Sequence, residues 1–140
     1  MAFILLILTA CSVSEVKGGT MLKMSTDNVV GDWTVAGFLF DDYVTVDSFE
    51  EQVGYDYTDE ITINENGTGS LKVEQDGNVI ENKNCTWKYK DGDDKILYFY
   101  LEDGTEVPIA SYDFSEVSSE PCIARLVEGD ETYIIYYKKK

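Results

Sequence analysis

Turn dipeptides punctuate this chain at short, regular intervals, and that spacing constrains the fold more than any other feature. They are Asn66-Gly67, Asp76-Gly77, Asp91-Gly92, Asp103-Gly104, Ser118-Ser119-Glu120-Pro121 and Gly129-Asp130. Asn, Asp and Gly tolerate the positive φ that tight hairpin links require. Each interval holds one strand and one turn. Short strands with regular punctuation predict a barrel or a sandwich.

The stretch Gly31 to Phe40 reads as the first strand, because Trp, Val and Phe favour a pleated, half-buried surface. Ile61 to Asn64, Gly69 to Glu74 and Cys85 to Lys90 follow, each alternating apolar and polar residues. Thr86, Lys88 and Lys90 are expected outward. Ile96 to Leu101 is expected to face Leu97, Phe99 and Leu101 inward. Glu106 to Phe114 carries Pro108, which suits an edge, a bulge or a strand start. Cys122 to Val127 is expected to turn Cys122, Ala124 and Leu126 inward, since the other phase buries Arg125. Thr132 to Tyr137 is the last strand. Eight strands with short links make antiparallel neighbours, and eight can close with no free edge. The expectation is an all-β, eight-stranded antiparallel up-and-down (meander) barrel. A β-sandwich is the alternative, and it needs long crossovers.

One connection is long. Residues Asp41 to Glu60 hold eight carboxylates (Asp41, Asp42, Asp47, Glu50, Glu51, Asp56, Asp59, Glu60), no Lys or Arg, and the aromatics Tyr43, Phe49, Tyr55 and Tyr57. Ser48-Phe49-Glu50-Glu51 has capping-box spacing and Gly54 suits a helix end. A loop of this length commonly covers or binds something.

At the other extreme of the chain, Phe3 to Leu8 is apolar and is followed by Thr9-Ala10-Cys11-Ser12. Such a run is too short to span ~30 Å of hydrocarbon and fits an export signal. Leu8-Thr9-Ala10-Cys11 resembles the lipobox of bacterial lipoproteins, which implies acylation of Cys11. No Lys or Arg precedes the run, which departs from the usual basic start. The expected organisation is a signal peptide over 1-10, a lipidated Cys11 with a flexible tether over 11-28, and a barrel domain over 29-140. A short helical turn begun by Leu22 or Met24 is expected to plug the closed end of the barrel.

Charge and residue choice narrow the chemistry. The formal net charge is -16, from 11 Lys+Arg against 27 Asp+Glu. Such a surface repels nucleic acid and anionic headgroups. The chain has no His, the commonest acid–base group and metal ligand. Cys85 and Cys122 lack a His partner for nucleophilic catalysis. They are read as buried thiols, or as a disulfide if their strands meet across the barrel. No EF-hand spacing occurs in the acidic stretches. The reading is non-enzymatic, with no cofactor and no metal.

Three segments carry a resemblance. Gly31-Asp32-Trp33 resembles the Gly-x-Trp that opens lipocalin first strands. Ile61 to Gly69 resembles the hairpin of small bacterial lipocalin-like domains, and Cys85 to Tyr89 the strand that follows it. The resemblance implies a barrel open at one end, with the long first loop over the mouth and a small hydrophobic ligand inside. It implies that Gly31 and Trp33 close the barrel base with an Arg over the Trp, for which Arg125 is the only candidate. Trp87, Phe99, Tyr112, Phe114, Tyr133 and Tyr136 are the expected cavity lining, or else the filling of a largely packed interior. The expected protein is lipid-anchored in the bacterial cell envelope, on the periplasmic or surface face of the outer membrane. It holds a small apolar molecule at the mouth, or binds an unknown protein partner through acidic loops.

Overall fold

The computed structural model describes residues 19–90, 95–127 and 132–140. Cys11 and the apolar run before it lie outside the described residues. The strands, in chain order, are β1 (Thr20–Leu22), β2 (Gly31–Leu39), β3 (Tyr43–Thr45), β4 (Tyr57–Ile63), β5 (Thr68–Gln75), β6 (Asn78–Tyr89), β7 (Ile96–Leu101), β8 (Glu106–Asp113), β9 (Cys122–Val127) and β10 (Tyr133–Lys139). Two short helices, α1 (Thr26–Val29) and α2 (Val46–Val53), complete the fold. Strands β2 and β4 to β10 pair antiparallel, each with the next in sequence, and β10 returns to β2. This closes an eight-stranded meander barrel, as the turn spacing predicts. β1 and β3 lie outside the ring: β1 extends the edge of β8 beyond β7, and β3 extends the edge of β2 beyond β4.

Period-two alternation sorts most strands correctly. β4 sends Tyr57, Asp59, Ile61 and Ile63 inward, and β5 sends Leu71 and Val73 the same way. Lys88 and Lys90 are exposed while Trp87 and Tyr89 pack on the interior. Pro108 sits in β8 one residue before the pairing with β9 begins at Ile109↔Arg125, a position that tolerates a missing N–H.

The closed end is built at the start of the ring. Met24 and Val29, the last residue of α1, are buried in the interior cluster with Trp33. The Trp33 indole N–H donates to the Val29 carbonyl at 2.9 Å. Residues 20–29, expected mostly as tether, are therefore part of the fold. The plugging helix starts at Thr26, after the residues expected to begin it. The expected Arg125 partner of Trp33 is replaced: Lys139 of β10 holds its ammonium 5.4 Å from the ring centroid. Gly31 opens β2 with φ 142, a backbone conformation that L side chains rarely adopt.

A second apolar cluster lies outside the ring, over β8, β9 and β10. Tyr136 is its hub, with ring centroids 5.0 Å from Phe114, 5.8 Å from Tyr112 and 6.0 Å from Tyr43. Cys122, Ala124 and Ile134 pack with them, and Met21 of β1 covers the edge. The outward phase of β9 is thus as apolar as the inward phase, which holds Ile123 and Arg125. This corrects the expectation that Cys122, Ala124 and Leu126 face the interior.

The long connection folds into β3 and α2. Thr45, not Ser48, caps α2, its Oγ1 accepting from the Ser48 N–H at 3.2 Å. Gly54 ends the helix in the left-handed region, as expected. Gly37 lets β3 approach β2, because a Cβ there would lie 2.5 Å from the Val44 carbonyl oxygen.

Candidate functional site

The end of the barrel opposite α1 opens into a recess of about 500 Å³. It gathers the C-terminal ends of β2, β5 and β9, the N-terminal ends of β4, β6 and β10, and α2. Six rings line it: Phe38, Phe40, Phe49, Tyr55, Tyr57 and Tyr133. Phe38 lies at their centre, 4.4 Å from Phe49, 5.6 Å from Tyr57 and 6.4 Å from Tyr133. Phe40 packs 5.1 Å from Tyr133, and Phe49 lies 6.5 Å from Tyr55. These separations suit tilted and edge-on aromatic pairs.

Phe38 and Tyr133 reach the recess as inward residues of β2 and β10. Phe49 is delivered by α2, and the helix is tied down from below: Glu50 Oε2 accepts the Tyr57 backbone N–H at 2.8 Å. Two exposed apolar residues, Ile80 on the β6 side and Phe40 on the β2 side, form parts of the rim.

Arg125 and Glu81 are the charged side chains that line the recess among the described residues. Their ion pair spans 3.7 Å. Beneath them Asp59 is fully buried and accepts from the Tyr57 hydroxyl at 2.8 Å. Asp59 Oδ1 and the Tyr137 hydroxyl are both buried beside each other, and the two side chains interact. Burying Arg125 costs several kcal/mol unless acidic groups surround it. Here one guanidinium faces two carboxylates and two phenols.

The titration of this cluster follows its burial. Desolvation pushes the Asp59 carboxyl above the ordinary value, partly offset by the Arg125 charge and the Tyr57 hydrogen bond. Tyr57 and Tyr137 are raised, first by burial and then by the Asp59 charge. Burial by itself lowers the pKa of Arg125, but Tyr137, Asp59 and Glu81 outweigh it, so the guanidinium stays charged. The arrangement is a polar floor of one guanidinium, two carboxylates and two phenols under an aromatic cup. It can hold an apolar body and orient a polar head.

Of the residues expected to line a cavity, Tyr133 alone is in the recess. Phe99 is fully buried in the packed barrel interior. Trp87 lies at the closed end, where its indole N–H donates to the Asn64 carbonyl at 2.8 Å. Tyr112, Phe114 and Tyr136 belong to the outer cluster and cannot touch the interior. Their alternation is regular, but both faces of β8 and β10 are covered, so apolar character could not tell in from out. The residues missed are Phe38, Phe40, Arg125, Glu81 and Asp59. Asp59 did carry a signal, since it falls in the inward phase of Ile61 and Ile63.

Cys85 and Cys122 are free and buried. Cys85 faces the interior and Cys122 the outer cluster, so the barrel wall separates them. No protein-family model, curated protein or solved structure matches this chain.

Proposed function

We propose that this protein is a binding module of lipocalin-like design that takes a small, largely apolar molecule into the mouth of its barrel. The observation that carries this reading is the recess of about 500 Å³, walled by six aromatic rings and floored by the Arg125–Glu81 pair. Concave, mostly apolar sites with a few convergent polar groups are the usual form of a small-molecule site. The volume falls within the common range for such sites, ~300–1,000 Å³. Below it the interior is filled by residues such as Ile61, Leu71, Leu97 and Phe99, so the ligand is held at the mouth and not in the shaft. In this reading binding is the activity, and no chemical step is assigned to it.

Lipid attachment through Cys11 to the bacterial envelope is part of the same proposal. It rests on Leu8-Thr9-Ala10-Cys11 after the apolar run. Among the described residues, Thr20 pairs with Asp113 at the closed end.

The test is native mass spectrometry of the protein purified from its own host, followed by solvent extraction. A co-purifying apolar molecule that is lost in Phe49→Ala and Tyr133→Ala supports the reading. A clean mass, with no binding of a panel of alkyl and aryl compounds, overturns it in favour of a module that meets a protein partner. Tyrosine emission is the optical reporter, since Trp33 and Trp87 both sit at the closed end.

A further inference from the structure

We infer that the head group of the mouth ligand is cationic: an ammonium or quaternary ammonium on an apolar body. This rests on the mouth being the binding site, and it adds the chemical class of the ligand.

Three observations converge. The first is the wall. Six rings surround the recess, with Phe38 and Phe49 centroids 4.4 Å apart and Tyr57 5.6 Å from each of them. Aromatic faces carry negative quadrupole density and attract a desolvated cation.

The second is the local charge. A lone buried Arg would select a carboxylate, but Arg125 already faces Glu81 at 3.7 Å and the buried Asp59. One positive and two negative groups give a formal sum of 1 − 2 = −1 with all three ionised. An anionic head would have to displace Glu81 from Arg125 and bring a further negative charge beside Asp59. A cation adds to Glu81 without breaking the pair.

The third is the field around the mouth. The protein carries a formal net charge of -16, and the Asp41–Glu60 connection, which supplies Phe49, Tyr55 and Tyr57 to the wall, has no Lys or Arg and, besides the buried Asp59 and the Lys140-paired Glu60, six further carboxylates. Clefts within a field of one sign concentrate counter-ions and speed their entry. Ile80, 55% exposed at the rim, and Phe40, 38% exposed, offer apolar surface to the body of such a ligand.

The experiment is calorimetric titration of the full chain with three probes that share one body: octyltrimethylammonium, 1-octanol and octanoate, each below its aggregation concentration. The expected order is cation tightest and octanoate weakest. The gap between those two is about tenfold or more, as cation–π attraction in a desolvated cup allows. It narrows at high ionic strength. Glu81→Gln is expected to weaken octyltrimethylammonium several-fold more than it weakens octanol. Tyr133→Leu keeps apolar bulk while removing a ring, and is expected to weaken octyltrimethylammonium more than it weakens octanol. Thermal melts verify that both variants fold. Equal affinities, or octanoate binding tightest, overturn the cationic head while leaving the mouth as a binding site. Binding of none of the three overturns the mouth reading along with it.

Discussion

The Tyr57 hydroxyl donates to Asp59 Oδ2 across 2.8 Å, two positions along the same strand and on the same inner face. The bond holds a buried carboxylate in the barrel wall where Arg125 of β9 can meet it. It joins the aromatic cup above to the packed interior below, because Tyr57 lines the recess and Asp59 does not.

Asp59 and Arg125 should be energetically coupled. Arg125→Met leaves Asp59 as a buried charge without its counter-ion, and is expected to cost about 3–5 kcal/mol. Asp59→Asn in the same chain removes that stranded charge. The double variant should therefore recover about 1–3 kcal/mol relative to the sum of the single changes. Urea denaturation of the four proteins checks this, and strict additivity would sever the proposed link between β4 and β9.

The same carboxyl sets a pH dependence of known sign. Burial raises its folded-state pKa above 3.8, so the folded chain binds this proton more tightly than the unfolded chain. Protonation then favours folding. The contribution is full below the unfolded pKa and is lost as pH rises through the folded value. The many exposed acids contribute their own slope, so the comparison is a difference. Wild-type stability minus that of Asp59→Asn is expected to increase on acidification toward pH ~4. A difference curve that is flat or of opposite slope would contradict the assigned cause.

Trp33 anchors the closed end. Trp33→Ala is expected to destabilise by about 3–5 kcal/mol through cavity formation. Trp33→Phe keeps most of the bulk but deprives the Val29 carbonyl of its indole donor, at about 1–3 kcal/mol. Lys139→Ala should cost less, ~0.5–1 kcal/mol, because it removes a cation–π contact alone. Thermal melts rank the three, and a Lys139 effect as large as that of Trp33→Ala would refute this account of the base.

Both thiols should be inert in the folded state. Burial pushes Cys85 up to about 11 and Cys122 up to about 12. Little thiolate forms at neutral pH, and the thiolate is the reacting species. Iodoacetamide treatment at neutral pH followed by peptide mapping is expected to leave Cys85 and Cys122 unmodified until denaturant is added. Rapid labelling of Cys122 in native buffer would mean that the outer cluster opens.

The sequence by itself determined the eight strands of the ring, their antiparallel order and the closed meander, but not β1 and β3 outside it. Local rules sufficed there: period-two alternation marks a pleated strand, and Asn-Gly or Asp-Gly links tie neighbours in sequence into neighbours in space. Length and aromatic content also marked the Asp41–Glu60 connection as a segment that packs down over the barrel, and three of its aromatics line the recess. Which way β9 faces was decided by tertiary structure. A strand covered on one side reveals its phase by polarity, but Met21, Phe114 and Tyr43 cover the outer side of this wall as well. Polarity then favoured burying Ala124 and Cys122 over Arg125. Arg125 is inside because Asp59 and Glu81 are there to receive it, and those partners come from β4 and β6, far away in sequence. A buried charge is stable only with its counter-charges in place, and where those stand is a property of the closed barrel, which no local stretch of the chain contains.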